Sequence, residues 1–105
     1  MRVMTVVFTM LLLLIAVAAV AGGDGSAALY KGKCAMCHGP DGSGQTTMGK
    51  NLKLRDLRSA EVQKQSDAEL EKIITDGKGK MPAYKGKLPP VEITDLVKFI
   101  RTLKK

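Results

Sequence analysis

Both cysteines and the only histidine of a 105-residue chain fall inside one pentapeptide, Cys34-Ala35-Met36-Cys37-His38. A chain that gathers its thiols and its imidazole at one point does its chemistry there. The gathering weighs more because the chain is short and forms one small domain at most. It has no tryptophan, two tyrosines and two phenylalanines. Near this size a metal, disulfide or cofactor usually assists the core, so two-domain and barrel enzyme architectures are excluded.

The N-terminus sets the compartment. Arg2 precedes an apolar stretch from Val6 to Ala21, broken only by Thr9 and ending in Ala16, Ala18, Ala19 and Ala21 before Gly22-Gly23-Asp24. A positive charge, an apolar block and a small-residue site, in that order, describe an export signal. Residues 1–21 are expected to be cleaved after Ala21, leaving a mature domain 22–105, exported to a bacterial periplasm. Retention of the same segment as a membrane anchor is the alternative, since its length nearly spans a bilayer. Loss of Arg2 takes 17 basic residues to 16 against 10 acidic ones, so the mature domain stays basic at +6.

Beyond residue 21, glycines and prolines mark loops, and the segments between them carry helical periodicity. A first helix starts near Asp24 or Ser26 and runs toward Cys34. Ser66-Asp67-Ala68-Glu69 has the form of a capping box; Leu70, Ile73 and Ile74 follow on one face and Gly77 is a stop. Pro89 and Pro90 open a last helix with Ile93, Leu96, Val97, Ile100 and Leu103 at helical spacing. A shorter turn lies around residues 59–63. No β-type alternation is present, so the domain reads as all-α, with long loops over residues 39–54 and 77–88 that need something to pack against.

C-x-x-C-H is the attachment pattern of c-type haem. Two thiols two residues apart on a helical turn reach two vinyl groups of one porphyrin, and the next residue presents its imidazole to the iron. A thioredoxin-like pair expects a βαβ context that is absent, zinc lacks two further Cys or His ligands, and a disulfide this tight constrains little of the chain.

These features together resemble a class I cytochrome c of the small bacterial monohaem type. The likeness is carried by the helix ending in Cys34-Ala35-Met36-Cys37-His38-Gly39, the Gly-rich loop after it, the Gly77-Lys78-Gly79-Lys80-Met81-Pro82 segment and the final amphipathic helix. It implies a cytochrome c fold, three to five short helices and long loops around one covalently attached haem c. Cys34 and Cys37 would form its thioethers, and His38 would be the proximal axial iron ligand.

A thioether is the usual second ligand for electron transfer because it raises the potential. Met1, Met4 and Met10 leave with the signal and Met36 lies within the attachment loop, so Met48 and Met81 remain. The family's ligand occupies the Met-Pro position, which assigns Met81 as the distal axial ligand, with Met48 or no ligand as alternatives. The resemblance also implies a backbone carbonyl holding the His38 ring proton, from a Gly-Pro-x-Leu loop that here reads Gly49-Lys50-Asn51-Leu52. The resemblance further implies that the first and last helices cross at close range, with Ser26 and Tyr30 near Leu96 and Phe99, small against large. The haem should pack on Leu52, Leu54, Leu57, Ile73, Ile74, Leu88, Val97 and Ile100, and without it the chain should be largely unfolded. Tyr84, Arg55, lysines and backbone amides are the candidates to receive its propionates.

The implied function is single-electron shuttling between redox proteins, not catalysis. No second histidine and no nucleophile constellation supports an enzyme. Lys31, Lys33, Lys78, Lys80, Lys85 and Lys87 would form a basic rim steering acidic partners. Nucleic acid and small-molecule substrates are not expected. The rivals are a five-coordinate haem sensor or peroxidase-like protein, and a membrane-anchored subunit of a larger redox complex.

Overall fold

The computed structural model describes residues 24–105. The expected signal, residues 1–21, lies outside them. Six helices are found among the described residues: α1 (Asp24–Lys33), α2 (Ala35–His38), α3 (Thr47–Leu52), α4 (Ala60–Gln63), α5 (Asp67–Asp76) and α6 (Pro90–Thr102). No sheet is present among them, only two isolated bridge pairings, Lys78 with Met81 and Lys85 with Leu88. The all-α expectation holds. The helix beyond the expected three to five is α3, inside a stretch read as loop.

Local signals explain most boundaries. Ser66 caps α5 by accepting from Glu69 N at 3.1 Å, and Gly77 ends it at φ 76°. Such a side-chain cap satisfies an amide that the helix itself leaves unpaired. Ser59 does the same for α4, accepting from Val62 N. Pro89 precedes α6 and Pro90 occupies its first turn, where a missing N–H costs nothing. For α3 the cap is Thr46, whose Oγ1 accepts from Gly49 N at 2.8 Å, and the helix closes on Lys53 in the left-handed region at φ 54°.

Packing brings the two ends of the domain together. α1 lies against α6, and α6 also packs on α5. At the first contact the rings of Tyr30 and Phe99 stand 4.8 Å apart, tilted by 40°, and Tyr30, Leu96 and Val97 are each 1% exposed. Ser26, in the first turn of α1, is also buried. This is the crossing that the sequence led us to expect. Large apolar side chains from both ends of the chain share one cluster, so neither helix is stable without the other.

A polar clasp fixes α6 from its other side. Gln63 Nε2 donates to Leu57 O at 2.8 Å and to Ile100 O at 3.0 Å. Arg101 Nη1 donates to Gln63 O at 2.8 Å, Nη2 to Gln65 O at 2.5 Å, and Nε to Asp67 Oδ1 at 2.9 Å. Nearby, Arg58 grips both carboxylate oxygens of Asp56 at 2.9 and 3.0 Å, which holds that carboxyl below the usual range. Its folded value is depressed, so the stability it contributes is present above about pH 4 and is lost as pH falls through the folded value.

The Gln63→Ala variant should lose about 1–3 kcal/mol of stability, because Leu57 O loses its donor and Ile100 O keeps only Leu103 N. Guanidinium unfolding of the purified protein measures it, and an unchanged midpoint would show that water replaces the amide without cost.

Candidate haem site

The pentapeptide sits where α1 gives way to the single turn α2, and its backbone is held almost completely. Cys34 N donates to Tyr30 O, and Cys34 O accepts from both Cys37 N and His38 N at 3.2 and 3.0 Å. Ala35 O accepts from Gly39 N at 2.8 Å, and His38 O from Gly44 N at 2.7 Å. Two side chains complete the set. Thr46 Oγ1 donates to Cys37 O at 2.7 Å, and the buried Tyr30 hydroxyl donates to Gly39 O at 2.7 Å. The carbonyls of Cys34, Ala35, Cys37, His38 and Gly39 thus each receive a donor, as buried carbonyls must. The turn has little freedom left.

Gly49 lets α3 approach. A Cβ on it would stand 2.7 Å from Cys37 O and closer still to Gly44 O. Both obstacles are backbone, so only glycine brings Thr46 within reach of Cys37.

Beside the turn is a cavity of about 520 Å³. Cys34, His38 and Met81 all line it. Its apolar wall includes Leu52, Leu54, Leu57, Ile73, Ile74 and Ile100, six of the eight residues expected to meet a haem. The other two, Leu88 and Val97, are buried in the core cluster instead of lining the cavity. Val62, Leu70 and Leu96 line it and were not anticipated. Leu70 and Leu96 were recognisable as apolar helix positions, but periodicity marks a buried face without saying whether the neighbour is a helix or a ligand. Apolar surface dominates this wall, and an apolar group seated on it would remove that surface from water. The fold therefore suits a large, flat, apolar group.

His38 fits an iron ligand. Burial lowers the pKa of its imidazole, which keeps the ring neutral and able to donate a lone pair. Nδ1 is enclosed with no hydrogen-bond partner, which leaves Nε2 as the nitrogen available to a metal. The carbonyl expected to hold that ring proton is not supplied. Residues 49–52 belong to α3, where Gly49 O accepts from Leu54 N and Lys50 O from Lys53 N. Lysine in place of the family's proline lets the segment coil into a helix, which turns its carbonyls to its own chain.

Both cysteines are free and half-buried. Burial and the neighbouring Cys37 push the Cys34 thiol up to about 11. Of the methionines, Met81 lines the cavity, whereas Met48 and Met36 are 45% and 77% exposed and do not. The Met81 loop is folded tightly: Met81 N donates to Lys78 O at 2.9 Å and Lys78 N to Met81 O at 3.2 Å. Gly77 permits this, since a Cβ there would meet Met81 O at 2.7 Å.

The cations divide. Lys78 and Lys80 line the cavity together with Lys53 and Arg55, and no acidic residue does. Lys31, Lys33, Lys85 and Lys87 are exposed and lie outside that lining, so two of the six lysines expected at a rim border the cavity itself. Tyr84 is likewise outside the lining, its hydroxyl committed to Lys33 O.

Over residues 22–100 the chain matches the family described as "Cytochrome C oxidase, cbb3-type, subunit III". The chain belongs to this family of class I c-type cytochromes. Membership implies one covalently attached haem c. The chain is 34% identical over 79 residues to a cytochrome c6 of Nostoc sp. (strain PCC 7120), covering 70% of this chain and 64% of that one. With a cytochrome c6 of Synechocystis sp. (strain PCC 6803) it shares 33% over 73 residues, 70% of this chain and 58% of the other. It thus spans less than two thirds of these relatives' length. The solved "KustC0563 c-type cytochrome" superposes with a TM-score of 0.71 at 38% identity, over 76% of this chain and 98% of that one.

For Gly49→Ala, helix propensity offers up to about 1 kcal/mol of gain, but overpacking against two backbone carbonyls costs about 1–3 kcal/mol. The cost should prevail, lowering the melting temperature and the yield of haem-bearing protein in cytochrome-competent cells. A variant more stable than wild type would show that α3 can retreat from the pentapeptide.

Proposed function

We propose that this cytochrome domain is a soluble electron carrier, exported to the periplasm, which passes single electrons between redox proteins. The observation that carries the reading is the meeting of Cys34, His38 and Met81 around one apolar cavity, although Met81 lies more than forty residues beyond the pentapeptide. Cys34 and Cys37 would hold haem c by thioethers, with His38 and Met81 as its axial ligands. When bound, haem c supplies a ferrous–ferric couple.

What the chain contributes follows from its residues. The bonded carbonyls of the pentapeptide hold the backbone that carries His38, which limits rearrangement between the two charge states. The apolar wall excludes water and disfavours the more highly charged state, and a Met81 thioether works in the same direction on the potential. Lys53, Arg55, Lys78 and Lys80, with no acidic neighbour on the wall, offer positive charge to two propionates. The exposed lysines around them favour partners with acidic docking faces.

A second reading is favoured by the family's description as an oxidase subunit. In it the apolar residues 6–21 are kept and tether the domain within a larger redox complex. No helix among the described residues is long and apolar enough to cross a membrane, so residues 6–21 would have to be that tether. N-terminal sequencing of the exported protein separates the readings: a start near Gly22 supports the free carrier, and a start at Met1 supports the tether.

Met81→Ala tests the ligation. The ferric variant should lose the sulfur-to-iron charge-transfer absorption, its potential should fall, and the ferrous variant should bind carbon monoxide readily at neutral pH while wild type resists it. Ready binding by wild type would show that the iron lacks a firm sixth ligand and would favour the sensor or peroxidase-like reading.

A further inference from the structure

We propose that Tyr84 is a positioning residue, a latch that holds the Met81 loop against the end of α1 and keeps it closed. The proposal deepens the reading above and rests on Met81 as the iron ligand. Its basis is a single long-range bond. The Tyr84 hydroxyl donates to Lys33 O at 3.1 Å, joining residues 51 positions apart.

The acceptor is well suited to this use. Lys33 is the last residue of α1, so its carbonyl has no donor within the helix and is open to a partner from elsewhere. Lys33 also immediately precedes Cys34. The latch therefore joins the segment that carries the pentapeptide to the loop that carries Met81, and both Cys34 and Met81 line the cavity.

The remaining bonds of the loop lead elsewhere. Lys78 and Met81 bond to each other, Lys87 N and Leu88 N donate to Tyr84 O, and Tyr84 N and Lys85 N donate to Ile74 O and Thr75 O of α5. These bonds shape the loop and moor it to α5, yet none of them ties it to α1. Without the hydroxyl the loop keeps its shape and its mooring to α5 but loses the hydrogen bond that ties it to α1. The Tyr84 ring packs against the core cluster. Phenylalanine preserves that packing and removes only the donor.

A loop that opens more often exposes the iron to an external ligand more often. Imidazole binding to the ferric holoprotein, followed by visible absorption, reads this opening directly. Tyr84→Phe should bind imidazole about fivefold more tightly than wild type, the effect of one lost neutral hydrogen bond. Without imidazole it should keep the sulfur-to-iron charge-transfer absorption. The control is Gln63→Ala, which leaves every bond of this loop in place while loosening the cavity wall at Leu57 and Ile100, and should raise imidazole affinity less than Tyr84→Phe does. Affinity of Tyr84→Phe within about twofold of wild type overturns the latch, as does an equal increase in Gln63→Ala, which would signal general loosening. Met81→Ala separates the two levels. Wild type that binds imidazole as readily as Met81→Ala removes the ligand assignment and the latch with it. Wild type that resists while Met81→Ala binds, with Tyr84→Phe equal to wild type, removes the latch alone.

Discussion

The apolar cavity beside Cys34 and His38 is the constraint on which the rest of the domain depends. In a chain this short the volume lies where a larger domain would place core side chains. Val62 from α4, Leu70, Ile73 and Ile74 from α5, and Leu96 and Ile100 from α6 all turn toward it. These residues satisfy one another only in part, and a flat apolar group is what completes them. The helix pairing of α1 with α6 forms the back wall, and the loops over residues 39–54 and 77–88 form the sides. Their length has a physical reason: each must travel around a cofactor instead of connecting two helices by the shortest path.

A second constraint acts on the backbone. The pentapeptide is a helical turn interrupted by Cys34 and ended by Gly39, so its carbonyls point to several sides and require donors from distant residues. Tyr30, Gly44 and Thr46 supply them. Thr46 has two tasks, capping α3 with one lone pair while its proton goes to Cys37 O. Gly49 has no side chain because α3 must lie against the same carbonyl. One bonded unit results, in which α3, the turn and α1 share the job of orienting His38.

How much of this was legible beforehand differs by residue. The capping box at Ser66, the prolines before α6 and the stripe from Ile93 to Ile100 lie within a few positions of one another, and their elements formed as expected. The α3 helix was missed because its signal is a lone threonine cap followed by Thr47, Met48 and Gly49, of which Thr47 and Gly49 are weak helix formers; tertiary bonds to Thr46 and Gly49 outweigh that propensity. The same coil removed the carbonyl expected for His38 Nδ1. Of the candidate ligands, Met81 could be preferred over Met48 by its proline neighbour, but only the fold shows Met48 exposed and Met81 on the cavity wall.

The sequence alone determined the chemistry of attachment, the helical class and the capped boundaries, because each depends on spacing over a single helical turn or two, where chain geometry leaves few choices. Tertiary structure alone decided which lysines border the cavity, where α3 forms, and which hydroxyl closes the Met81 loop. Those outcomes rest on pairs such as Tyr84 with Lys33, 51 positions apart, and Gln63 with Ile100, 37 apart. Their meeting is a property of the closed chain: the entropy of bringing such pairs together is offset by the whole core and not by any local pattern.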